Sequence, residues 1–94
     1  MDDRKVVLIT TSAYSSDADG LLLELLGSGA ELISIVGVDC SNWEDILDEL
    51  AVGDGSQVYS VTTTSHPNES ESDVIEFANL FSVSGSSRVK IVRI

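Results

Sequence analysis

Two side chains with nucleophile and base chemistry stand at corresponding places in this chain. Asp39, Cys40 and Asn42 follow an apolar run ending at Val38, and His66 follows the polar run Thr62-Thr63-Thr64-Ser65. A thiol at the start of a helix can have a lowered pKa, and an imidazole beside it gives the layout of a cysteine nucleophile with its base. Adjacent Asp39 opposes thiolate formation, and Cys40 is the single cysteine, so no partner thiol resolves an oxidised form. A lone cysteine more often packs as a small apolar residue, which is the favoured reading of Cys40.

Carboxylates offer a second chemistry. Asp17, Asp19, Asp39, Asp45 and His66 could converge on a divalent cation, since carboxylates suit magnesium and imidazole suits zinc. None has a diagnostic ligand spacing, and capping of helix starts accounts for the aspartates, so no metal or cofactor is expected. Between Thr10 and Gly20 neither the dinucleotide-binding nor the P-loop glycine pattern can be written, which disfavours nicotinamide enzymes and nucleoside triphosphatases. Ser12, Ser15 and Ser16 could hold an anion at a helix start, but ordinary capping by Ser16 or Asp17 is the simpler role. Tyr14 and Trp43 either frame an apolar pocket among these groups or act as lids on the core.

These residues need elements to hold them. Lys5 to Ile9 is a short β-branched run, as expected of a buried parallel strand, and Glu31 to Val38 reads as a second. Between them a leucine-rich helix over Leu21 to Leu26 stops at Gly27-Ser28-Gly29, apolar enough to be a well-buried helix or a homodimer face. A second helix, capped by Ser41 or Asn42, carries Trp43, Ile46, Leu47, Leu50 and Ala51 on one face. Gly53-Asp54-Gly55 ends it, Gln57 to Thr63 reads as a third strand, and Pro67 suits the start of a third helix lined by Val74, Phe77, Ala78 and Phe81. Ser82 to Ser87 reads as a mobile loop before a last strand over Arg88 to Ile94, whose mixed faces fit an edge strand or an interior strand equally.

Strand and helix therefore alternate. The pattern predicts one α/β domain over residues 1–94, with a four-stranded, mainly parallel sheet and three helices in a flavodoxin-like or Rossmann-like layout. Parallel strands put their carboxyl ends on one rim, where open α/β sheets bind ligands. The candidate rim site is then Ser12, Tyr14, Asp17, Asp39, Cys40, Trp43, Asp45, Thr64 and His66.

Composition narrows the partners. Sixteen Asp and Glu against five Lys and Arg give a formal charge of −11, which repels nucleic acid and anionic lipid. Glu44, Asp45, Asp48 and Glu49 lie on the second expected helix and Glu69, Glu71, Asp73 and Glu76 at the third, with no Lys or Arg in either to pair them. No apolar stretch approaches the roughly 20 residues needed to span a bilayer, and no signal peptide is legible, so a cytoplasmic location is expected.

A group of residues carries a resemblance: Ser28 and Gly29; Asp39-Cys40-Ser41 with Trp43, Glu44 and Asp45; Thr63, Thr64 and His66; and Phe77-Ala78. From about the first strand to Ala78 the chain resembles a functionally uncharacterised bacterial family of small α/β proteins, a domain-of-unknown-function family. The resemblance implies the α/β fold, singles out Asp39, Cys40, Trp43, Asp45, Thr63, Thr64 and His66, and implies no reaction.

Two functions of different class follow. The favoured one is a small acidic interaction or inhibitor-like protein that binds a basic protein partner. The alternative is a ligand-binding or catalytic domain using the carboxyl-terminal rim, with His66 as acid or base.

Overall fold

A computed structural model describes residues 4–53, 55, 59–81 and 88–94. Its strands are β1 (Lys5–Thr10), β2 (Leu32–Gly37), β3 (Thr62–Ser65) and β4 (Val89–Arg93), and its helices are α1 (Asp19–Gly27), α2 (Cys40–Val52) and α3 (Glu71–Leu80). All strand pairs are parallel, in the order β3-β2-β1-β4. Of the two layouts expected, this is the Rossmann-like one, with the first strand central and the fourth on its far side.

The layers follow from handedness. A parallel crossover of constant hand puts its helix on one face as the chain steps one way along the sheet, and on the other face when it steps back. The steps β1 to β2 to β3 put α1 and α2 on one face, where Val6, Leu8, Ile33 and Ile35 pack with Leu22, Leu25, Leu26, Trp43 and Leu47. The return to β4 puts α3 on the other, where Val7, Ile9, Leu32 and Val36 meet Val74 and Ala78. The leucine-rich helix is largely consumed by the first layer: Leu22, Leu25 and Leu26 are buried, and Leu23 is exposed.

Burial of β1 on both faces extends to its polar ends. Lys5 is 1 % exposed, and its Nζ donates to Asn79 O at 3.2 Å and Phe81 O at 3.1 Å. The carboxyl end of a helix carries partial negative charge, so α3 supplies an acceptor for this amine where no carboxylate is needed. At the other end of β1, Thr10 Oγ1 donates to Val38 O at 2.7 Å, and Val38 N donates back to Thr10 O at 3.1 Å. Among the described residues no buried side-chain nitrogen or oxygen lacks a partner.

Several sequence expectations shift. The third strand begins at Thr62, not Gln57: its first ladder bond runs from Thr62 N to Glu31 O, and β2 offers no register earlier than Leu32. Residues 57 and 58 lie outside the described residues, while Tyr59 and Val61 pack against the α1/α2 core instead of pairing. Ser15, not Ser16 or Asp17, is the first cap, accepting from Asp17 N at the start of a short 3-10 turn, Ser16–Ala18, that leads into α1. Helix α2 starts at Cys40, ahead of the expected Ser41 or Asn42 cap, because left-handed Asp39 (φ 60°) turns the chain directly out of β2. Pro67 does not open α3; Asn68 takes φ 67°, and Ser70 caps the helix by accepting from Asp73 N at 3.1 Å. β4 is an edge strand, and its Arg93 forms a bidentate pair with Glu71 of α3 at 2.9 and 3.2 Å. That guanidinium holds the Glu71 carboxyl below the usual carboxylate range. The Ser82 to Ser87 loop expectation lies outside the described residues.

Gly37 tests the junction of β1 and β2. It has φ 117°, and a Cβ there would stand 2.2 Å from Thr10 O. Gly29 also has positive φ, 91°, but a Cβ there meets nothing within 4 Å. Gly37→Ala is therefore expected to lower unfolding stability by about 3 kcal/mol or more, against about 1 kcal/mol for Gly29→Ala. Denaturant melts of the two variants check this; equal losses would show that the close approach of Thr10 contributes nothing.

Candidate functional site

The rim residues separate into three groups along the carboxyl ends of the strands. The first group lies beside the ends of β1 and β4. Thr11 N and Oγ1 both donate to Ile94 O, at 2.9 and 2.7 Å, and Ile94 N donates to Ile9 O at 2.9 Å, so these two strand ends are joined. Next to them Ser12, Ala13, Ser15, Asp17, Ala18, Leu21, Trp43 and Ile94 line a cleft of about 360 Å³. It lies beside the carboxyl ends of β1 and β4, where the strand order reverses, the usual ligand position in an open α/β sheet.

The wall of this cleft is held by side chains from the segment after β1 and from the start of α2. Trp43 Nε1 donates to Ser12 O at 3.0 Å, and the Tyr14 ring meets the indole edge-on, with centroids 5.2 Å apart. The Tyr14 hydroxyl donates to Asp19, while Tyr14 N donates to Asp39 Oδ2 at 3.1 Å. Asp39 Oδ2 also accepts from Asn42 Nδ2 at 3.2 Å, so its carboxylate ties the β1 loop to the start of α2. The Asp19 carboxylate, by accepting the phenol's hydrogen bond and by its charge, pushes the Tyr14 pKa from 10.0 up to about 12.

The second group surrounds a smaller depression of about 310 Å³ lined by Gly37, Asp39, Cys40, Ser41, Pro67 and Asn68. Cys40 is 4 % exposed and belongs to the α1/α2 core with Trp43 and Leu47. Packing, the favoured reading, is what this environment provides.

The third group lies in the other layer. Thr64 Oγ1 is 2.9 Å from Ser34 Oγ and 2.8 Å from His66 Nε2, and His66 Nδ1 is 2.9 Å from Glu69 Oε2. A carboxylate only accepts, so Nδ1 donates to Glu69, and Nε2 is occupied by Thr64. The ring is 8 % exposed and packs against Phe77 of α3 at 5.0 Å. His66 thus fastens β3 to β2 and to the turn before α3, with both nitrogens engaged.

The nucleophile and base pair is therefore not assembled: Cys40 faces the α1/α2 layer and His66 the α3 layer. The proposed cation cluster is not assembled either; among the described residues no three His, Cys, Asp or Glu side chains could hold a metal ion together. Asp45 stands exposed on α2, away from the cleft lining. Sequence reasoning missed Ala18, Leu21 and Ile94 in the cleft, which carry no polar signal, and missed Ser34 and Glu69 around His66. Ser34, the one polar residue within the apolar run of β2, and Glu69, three residues after His66, were signals for the last two.

Two measurements probe these environments. The difference between tyrosinate titrations of the native protein and Tyr14→Phe is expected to have its midpoint near 12. With the folded value raised, the stability contributed by the Tyr14 to Asp19 bond is complete below about pH 10 and is lost as pH rises through about 12. A midpoint at the ordinary value of about 10 would show that the bond is not held in solution. Cys40 is expected to react with a thiol-specific disulfide far more slowly in the native protein than in denaturant; comparable rates would contradict its burial.

No curated protein and no solved structure matches the chain significantly. A family model does, over residues 2–93, and by that match the chain belongs to the family described as Domain of unknown function (DUF7684).

Proposed function

We propose that this protein is a small acidic interaction domain of the bacterial cytoplasm that engages a basic protein partner through α2 and the neighbouring edge strand β3. The observation that carries this reading is the separation of charge across the sheet. Glu44, Asp45, Asp48 and Glu49 lie along α2 beside β3, at one edge. Arg88, Lys90 and Arg93 lie on or next to β4, at the other edge. Arg4 pairs with Glu31 at 3.5 Å, and Lys5 is buried, so neither relieves the α2 face.

Holding these carboxylates together is unfavourable in the free protein. Glu44 with Asp48 and Asp45 with Glu49 are i,i+4 like-charge pairs, each costing roughly 0.2–0.5 kcal/mol. Thr63 Oγ1, donating to Asp48 and 3.2 Å from Glu44 Oε2, offsets part of the first pair. Nothing comparable reaches Asp45 or Glu49 among the described residues. A cationic surface would compensate both, and its attraction would steer association at low ionic strength. A lone buried cysteine fits a reducing compartment. Among the described residues no helix is long and apolar enough to cross a membrane.

The test is capture from lysate at low salt with the native protein and with Asp45→Lys/Glu49→Lys, which leaves the Thr63 contacts untouched. The expected outcome is a specific protein of basic isoelectric point retained by the native form, eluted by salt, and bound at least about tenfold more weakly by the variant. The same variant is expected to be no less stable in a thermal melt, since the two lysines repel no more than the carboxylates they replace and the one at position 45 gains an i,i+3 partner in Asp48. Capture unaffected by the reversal, or no partner at low salt, would overturn the proposal.

A further inference from the structure

We infer that the cleft between the ends of β1 and β4 is a binding site for a small apolar molecule carrying a single amine cation. Its volume of about 360 Å³ lies at the small end of the roughly 300–1,000 Å³ typical of small-molecule sites. The lining divides by chemistry into two parts. Leu21, Ala18, Ala13, Ile94 and the Trp43 indole make an apolar floor and wall, suited to an aromatic or branched aliphatic body. Ser12, Ser15 and Asp17 supply the polar groups.

Charge selects the occupant. Among the described residues, Asp17 is the only ionisable side chain in the lining, and no Lys, Arg or His contributes to it. The neighbouring carboxylates are already committed, Asp19 to the Tyr14 hydroxyl and Asp39 to Tyr14 N and Asn42. The Asp17 side chain has no hydrogen-bond or ionic partner among the described residues, although its backbone nitrogen donates to Ser15 Oγ at 3.2 Å. An anion entering the cleft would meet an uncompensated carboxylate, whereas an ammonium would gain a charge-assisted hydrogen bond. The wall is preorganised for this, because Trp43 is pinned to Ser12 O and braced by Tyr14 before any ligand arrives. This site differs from the proposed partner surface, which uses the exposed side of α2 instead of its buried Trp43 face.

Trp43 is the single tryptophan, so its emission reports directly on the cleft. The probes are 2-phenylethylamine, its neutral analogue 2-phenylethanol and the anion 3-phenylpropanoate, titrated against Trp43 fluorescence with amide chemical shifts recorded in parallel. The expected result is saturable binding of the amine, about tenfold weaker for the alcohol and lost for the carboxylate, with shifts centred on Ser12 to Leu21 and Ile94. Asp17→Asn is expected to abolish the preference for amine over alcohol while retaining both, and Ala13→Leu at the exposed lip to weaken all binding. Both positions are exposed or peripheral, and a thermal melt confirms that each variant is folded. No saturable response to the amine, an amine preference that survives Asp17→Asn, or shifts centred elsewhere would overturn the assignment.

Discussion

The fold depends on one constraint: the chain, having laid β2 and β3 on one side of β1, returns across the sheet to lay β4 on the other. With crossovers of a single hand, that return sends α3 to the face opposite α1 and α2 and makes β1, like β2, a strand with neighbours at both edges. All of β1 is consequently buried, its polar ends included. Lys5 must find acceptors in the interior and does so at the carboxyl end of α3; Thr10 must do the same and meets Val38. The same reversal opens a crevice between the ends of β1 and β4, and it sets the basic strand at the edge away from acidic α2.

Most polar residues on the rim are occupied in holding the fold. Asp39 in its left-handed conformation spends its carboxylate on Tyr14 N and Asn42, and His66 is held between Thr64 and Glu69. The bonds of His66 lie in partly buried surroundings where water competes poorly, whereas those of Asp39 are exposed. What they leave free is informative. The Asp17 carboxylate faces a concave, largely apolar surface beside Ser12 and the capping Ser15, and Asp45 and Glu49 face solvent in a like-charged row. Chemistry that is not consumed by structure is where function has room, and here it falls at two separate places.

The sequence was most legible where a signal is local. The β-branched runs of β1 and β2 placed those strands to within a residue at either end, since a strand buried on both faces is simply a continuous apolar run. β3 was displaced because its pairing segment, Thr62–Ser65, is polar, while the apolar Tyr59 and Val61 before it pack on the core without pairing. Helix starts were misread for a related reason. Ser41 and Asn42 are good caps by type, yet the path of the chain out of β2 is set by the Gly37 to Thr10 approach, which places Asp39 first. Of the candidate site, Ser12, Asp17 and Trp43 were legible as polar and aromatic residues after strands and do meet in the cleft, with Tyr14 as its brace.

Taken alone, the sequence determined the alternation of strands and helices, the parallel sheet, the acidic balance and the rim as the place to look. Each of these follows from composition or from periodicity over a few residues. Tertiary structure decided the rest: that Ile94 closes the wall beside Ser12, that Cys40 and His66 face different layers, and that acidic α2 stands across the sheet from basic β4. The reason is that strand order and facing depend on pairings between residues far apart in the chain. Those pairings are chosen by handedness and burial of the whole sheet, and no short window of sequence contains them.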